Sequence, residues 1–373
     1  TDFRSMDEQL RKRLRYMPLG MLSRWLLALW LGLLGGGKIA ADSSVNVPLQ
    51  HSVYRYVERL EARGLIKGIG DGVKPYTRKE IVDIVNLIHH NFRTTLSPIE
   101  LSELALLRSE FIIVGKGDGK AVVGGGHSGR EQWQYHADEG AIFVDLLARQ
   151  QSDRFSGRGR LQTEQVFRNQ VGGIIRGHIG DKVGFRLAFA QIREQGTRDY
   201  TFRQNVYERR LELPQLKGNL ADFHEGTAYL SFAAGPVDVQ VGKDEVNWGP
   251  APGQNLGLIN NAPSFNTIRL KSRLGAFKLI SITAELRPCP DRPDSPLCRG
   301  LADSTATYIT NRISRPLDRE KYLSAHRLEV ALAPWLDFGF QEVVIYGDRG
   351  PELSYVNPLM FYWAAQSYLG DKD

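Results

Sequence analysis

From Gly140 onward, apolar and polar residues alternate along the chain. Ile142, Val144, Leu146 and Ala148 interleave with Phe143, Asp145, Leu147 and Arg149, while Val183, Phe185, Leu187 and Phe189 oppose Gly184, Arg186, Ala188 and Ala190. Successive residues of a strand point to opposite faces, so a period of two predicts strands with one apolar face and one polar or small face. Similar stretches recur at 159–168, 172–180, 183–194, 207–213, 227–234, 237–243, 267–274, 277–286, 323–332 and 336–346, separated by Gly, Asp, Asn or Pro clusters. The count is about eleven strands. A membrane barrel with lipid outside and a wet lumen produces this alternation, and so does a soluble sandwich.

Before residue 140 the period is different. Val53, Tyr56, Val57 and Leu60 fall at i, i+3, i+4 and i+7, and Gly64 closes the run as a helix C-cap. After a loop over 67–75, Thr77 with Glu80 three residues on forms a capping box, and Ile81, Ile84, Val85 and Ile88 give a second helix one apolar face. A third helix over 97–109 has Pro98 in its first turn. Residues 42–112 therefore predict a small helical subdomain. Leu60, Gly64, Leu65, Ile66, Lys67 and Gly68, followed by Pro75, Arg78 and Glu80, also resemble an S-layer-homology repeat, which implies contact with peptidoglycan. An ordinary helical hairpin accounts for the same residues.

Residues 113–139 read as a Gly-rich linker, with seven glycines between 115 and 129 and no Lys-Ser/Thr to complete a phosphate loop. Residues 1–20 read as an upstream leader. From Met21, a basic Arg24, the apolar run 25–34 and small residues to Ala41 form the pattern of a secretory signal over 21–41, too short in its apolar core to span a bilayer.

The net charge of +6 over 373 residues is spread along the chain rather than gathered into a stripe, which argues against nucleic acid as a partner. Thirty-eight glycines, 14 tyrosines and 16 phenylalanines suit a turn-rich β protein. Mean hydropathy is −0.31, a value that transmembrane barrels also show because their two faces alternate.

Candidate chemistry concentrates at 241–265. Lys243, Asp244 and Glu245 follow the alternating Val237, Val239 and Val241, and the stretch reads as a strand end leading into an exposed loop. Trp248 and Phe265 offer faces for stacking on a sugar, and Asn255, Asn260 and Asn261 offer amides for its hydroxyls. A self-packed loop is the alternative. Gly242 to Glu245, Trp248-Gly249-Pro250, Leu256 and Asn260 to Pro263 also resemble the central signature of the Wzi capsule-assembly family. Ala325 to Glu329, Phe338 to Glu342, Ile345 to Gly347 and Tyr355 to Pro358 are similar to its later blocks, in the same order. The resemblance implies a mostly β fold, a transmembrane antiparallel β-barrel with a small N-terminal α-helical periplasmic subdomain, in the outer membrane and in contact with its lipid, holding capsular or extracellular polysaccharide at the cell surface. It further implies a barrel that continues past Asp373, so that 140–373 forms an incomplete one.

On the strand around 326, His326 and Arg327 must face opposite ways. Arg327, Glu329 and Glu342 are expected to form a charge network inside the barrel. Cys289 and Cys298 enclose a Pro- and Asp-rich loop, and an even cysteine count in an exported chain predicts a disulfide. No cofactor motif, metal set or nucleophile elbow stands out, and Asp244 beside Glu245 diverge on a strand rather than flank one glycosidic bond. Binding is therefore expected rather than catalysis. A porin with a cell-wall-contacting segment is the rival reading.

Overall fold

The computed structural model describes residues 45–67, 72–112, 121–123, 132–137, 139–155, 164–180, 182–197, 215–249, 258, 264–286, 307–310, 313–316, 320–333, 336–347 and 349–370. The leader and signal readings, the strand expected at 207–213, Asn255, Asn260, Asn261, Cys289 and Cys298 lie outside the described residues.

The helices follow their sequence signals. Helix α1 (Ser52–Ala62) starts where His51 accepts from the Val53 amide, and Gly64, at φ +71°, ends it as Leu65 N–H donates to Leu60 O at 3.0 Å. A two-residue strand, β1 (Val73–Lys74), precedes α2 (Arg78–Asn91), which opens on the expected box: Thr77 N–H donates to Glu80 Oε2 at 2.8 Å. Helix α3 (Pro98–Phe111) opens on a second box, Ser97 with Glu100. The three helices share a core in which Val53, Leu60, Ile81, Val85 and Ile88 are almost fully buried. Each such side chain contributes roughly 1.5–3 kcal/mol of burial free energy. Leu60, Ile66 and Arg78, which carry the S-layer resemblance, are spent on this core, with Arg78 over the Phe111 ring at 4.6 Å.

The strands are β2 (Ala121–Val123), β3 (Trp133–Ala137), β4 (Gly140–Phe155), β5 (Glu164–Ile179), β6 (Val183–Gly196), β7 (Gln215–Lys217), β8 (Leu220–Ala234), β9 (Val237–Asp244), β10 (Asn247–Trp248), β11 (Phe265–Leu274), β12 (Phe277–Glu285), β13 (Thr307–Thr310), β14 (Ile313–Pro316), β15 (Lys321–Ala333) and β16 (Leu336–Gly347). Helices α4 (Leu353–Val356) and α5 (Tyr362–Leu369) follow. Twelve strands make one sheet in the order β16-β15-β12-β11-β9-β8-β6-β5-β4-β3-β2, with β7 beside β8. Every pairing is antiparallel. Among the described residues no pairing joins β16 to β2, so the sheet is open at both.

Two expectations change. The described part of the stretch 159–168, from Glu164, and the stretch 172–180 belong to the single 16-residue β5, which runs straight through Gly172-Gly173. A Cβ on Gly172 would stand 2.7 Å from Ala190 Cα, so glycine here permits close strand packing instead of marking a turn. Inside the stretch read as a linker, β2 and β3 extend the sheet edge through Val123↔Trp133 and Tyr135↔Ile142.

The register sorts the side chains. Phe185, Leu230, Val241 and Ile268 form a cross-strand row on one face; Ser231, Gln240 and Arg269 form the neighbouring row on the other. The first face is apolar yet open, with Leu146 71%, Val171 66%, Leu187 49%, Ile268 51% and Phe338 55% exposed. Arg149, Gln170, Arg186, Lys271 and Glu329 belong to the second face. Hairpins turn tightly at one end of the sheet, at Gly235 and Gly275 with φ +62° and +59°, while the connections 156–163 and 286–306 at the other end are longer.

Candidate functional site

The described residues 244–249 form a clasp. Strand β9 stops at Asp244, the chain kinks, and β10 pairs with β1 in the register Val73↔Trp248 and Lys74↔Asn247. Gly249 N–H donates to Gly72 O at 2.7 Å. Trp248, placed by the sequence in an exposed loop, is fully buried among Val73, Val246, Ile280, Ile282, Leu323 and Ala325. Its ring is covered because a second chain segment lies over it, something the local sequence does not encode. Phe265 is half-buried against the same cluster.

Polar contacts extend the clasp. Asn46 N–H donates to Tyr229 Oη at 2.8 Å, and Asn46 Nδ2 donates to Gln240 Oε1 at 2.7 Å and Asp244 Oδ2 at 2.6 Å. Gln240 Nε2 donates to the same Asp244 oxygen at 2.9 Å, and Arg269 donates to Gln240 Oε1. Glu245 accepts from Gln50 Nε2 at 3.2 Å. Lys243 is half-buried. So of the residues singled out for glycan contact, Asp244 and Glu245 hold the N-terminal arm, 46–50, against the sheet.

Lower on the polar face, toward the tight turns, Lys271 pairs with Glu80. Burial pushes the Glu80 carboxyl up, but the Lys271 and Lys278 ammonium groups and the Thr77 amide outweigh it and hold it at about 2. Asp83, Ile84 and Leu87 of helix α2 line a small cavity together with Arg273, two residues before the Gly275 turn. Helix α2 therefore reaches toward the tight-turn end of the polar face.

The expected charge network is half as drawn. Arg327 Nε donates to Glu329 Oε1 at 2.8 Å and its Nη1 to Gln341 Oε1 at 2.8 Å, with Lys278 Nζ 3.4 Å from Glu329. A Cβ on Gly72 would overlap Glu329 Oε1 and the Arg327 guanidinium. Glu342 is not part of it. The register sets Glu342 opposite His326 and Gln341 opposite Arg327, so Glu342 lies on the other face, accepting from His326 Nε2 at 2.9 Å and the Tyr362 amide at 3.2 Å. Tyr355, Tyr362 and Ala365 of the last two helices cover this corner with Val344 and Tyr346.

Between the arm and β4–β8, toward the long-connection end, lies a cavity of about 430 Å³. Its walls carry Arg149, Arg168, Arg186, Gln170, Glu225 and Glu245. Sequence reading missed it, although the alternation that puts Arg149 and Arg186 on the polar face is visible. Among the described residues no three His, Cys, Asp or Glu side chains gather as a metal set. The chemistry on offer is hydrogen bonding and charge recognition.

An antiparallel sheet of this length, apolar on one face and charged on the other, with its own N-terminal segment clasped to the charged face, defines a class of two-faced β proteins. The family model described as Capsule assembly protein Wzi matches residues 148–367, more than half of the chain, and the protein belongs to that family. Membership implies a role in capsule assembly and association with capsular polysaccharide. No curated protein and no solved structure matches the chain.

Proposed function

We propose that this protein sits in the outer membrane, with its sheet as part of a transmembrane barrel, and retains capsular polysaccharide at the cell surface. The observation that carries the reading is the sorting of faces: large apolar side chains stand exposed from β4 to β16 on one side, while the other side is charged and hydrogen-bonded. Water would penalise that apolar face, and hydrocarbon would not. Tight turns at one end and longer connections at the other match the periplasmic and extracellular ends of such barrels. Helix α2, which reaches toward the tight-turn end, then points to the periplasmic side, in keeping with a periplasmic helical subdomain.

A solute channel would share the charged inner face. The arm 46–50 and β1 lie across that face, however, which favours a plugged, binding protein over an open pore. In this reading the protein binds the polymer and does not cleave it. The test is co-flotation: vesicles carrying the protein should float purified capsular polysaccharide that empty vesicles leave behind, and equal recovery from both would refute the reading.

A further inference from the structure

We infer that the cavity between the arm and β4–β8 is a binding site for an acidic saccharide, a uronate-bearing segment of polysaccharide entering from the long-connection end. The inference rests on the proposed polysaccharide-binding role and names its chemical class and its place.

Three arginines and three carboxylates, Glu225, Asp244 and Glu245, line the cavity, but its arginines are not all used in ion pairs. Asp244 is satisfied by Asn46 and Gln240, and Glu245 accepts from Gln50. Arg168 is paired with Glu194, whose side chain is fully buried. Arg186, half-buried, and Arg149, exposed at the cavity's mouth, have no ion-pair partner among the described residues, and both line the same cavity. A guanidinium is always charged and presents a planar fork of donors that fits a carboxylate with two parallel hydrogen bonds. Two such groups in one partly enclosed space make it a place for an anion, and the neighbouring Gln170 amide adds a donor and an acceptor for sugar hydroxyls.

Position supports the assignment. Arg149 and Arg168 lie toward the ends of β4 and β5 that lead into the 156–163 connection, and Glu225 and Glu245 toward the same end of β8 and β9. The arm, held by Asn46, forms the floor, with Val47, Pro48 and Gln50 in the lining. The volume of about 430 Å³ holds one or two sugar rings and no more, by comparison with the few hundred cubic ångströms of ordinary ligand pockets. A long polymer would therefore be gripped at one or two acidic residues, with weak sites repeated along it giving avidity.

The test uses the full chain in detergent micelles and two probes of matched length, oligogalacturonate as the acidic one and dextran as the neutral one. Binding should favour oligogalacturonate, and R149Q and R186Q should each weaken it about tenfold, the loss expected for one charge-assisted contact. R186K should restore part of the loss, and unchanged far-UV circular dichroism should show that the variants fold. Equal affinity for the two probes, affinity for neither, or oligogalacturonate binding unaltered in the double variant R149Q/R186Q would overturn the inference. Capsular polysaccharide that still co-floats with the double variant, without loss, removes this cavity while leaving the retention role standing; failure of the unaltered protein to co-float removes the role itself.

Discussion

Glu80 is the residue through which the helical segment can be pried off the sheet. Replacing it with glutamine keeps the capping box, because a Gln at that position still reaches back to the Thr77 amide, so the change isolates the charge opposite Lys271. The two side chains are only 18% and 12% exposed, and E80Q leaves the Lys271 ammonium buried without its counter-ion. A carboxyl lowered from 4.5 to about 2 on folding contributes on the order of 3 kcal/mol near neutral pH. Removing one partner of a buried ion pair costs about 3–5 kcal/mol in general, so the two routes agree. Because the folded-state pKa is the lower one, the contribution is fully present above pH 4.5 and is withdrawn as pH falls through about 2. Urea unfolding of the helical segment in micelles, followed by proteolytic cleavage within residues 45–112, should show E80Q weaker by about 3 kcal/mol at pH 7, with the gap closing between pH 4.5 and 2. A gap that is missing at pH 7, or that stays constant down to pH 2, would refute the assignment.

Other perturbations separate the clasp from the membrane face. Trp248→Ala should cost about 3–5 kcal/mol by emptying a fully buried site, read as earlier urea unfolding; an unaltered midpoint would return Trp248 to a surface role. Asn46→Ala strips donors from Asp244 and Gln240 and should loosen the arm by about 2–4 kcal/mol, seen as faster hydrogen exchange at Val47 and Arg78, whose amides bond across this region. Val171→Arg, near the middle of β5 on the apolar face, should cost about 2–4 kcal/mol in bilayers if that face meets hydrocarbon, whereas an exposed valine on a soluble sheet would tolerate arginine with little change.

The readable parts of the fold were those whose cause is local. The helices announce themselves through an apolar stripe and caps, since Thr77 and Glu80 need only each other, and the strands through a period of two. What the sequence hides is whatever depends on a distant segment. Trp248 looks like a stacking residue because charges and prolines surround it, yet its burial is made by Val73, 175 positions away on the paired strand β1. Glu342 looks like a partner for Arg327 because both are charged, but face membership follows from register, and register follows from the irregularity between Ala331 and Ala333 that no composition signal marks. Gly172-Gly173 reads as a turn signal and is instead a place where two backbones crowd together. The family blocks at 242–263 and 325–358 were legible as ordered residues, and they lie inside the matched range 148–367. The cavity was not, because its arginines come from three strands and its floor from the arm.

The most direct measurement of the central claim is capsule attachment in source cells after deletion of the gene, scoring cell-bound against shed polysaccharide. The account predicts that polysaccharide is made in normal amount but appears in the medium, and that the unaltered gene restores attachment. Attachment that persists without the gene would contradict it.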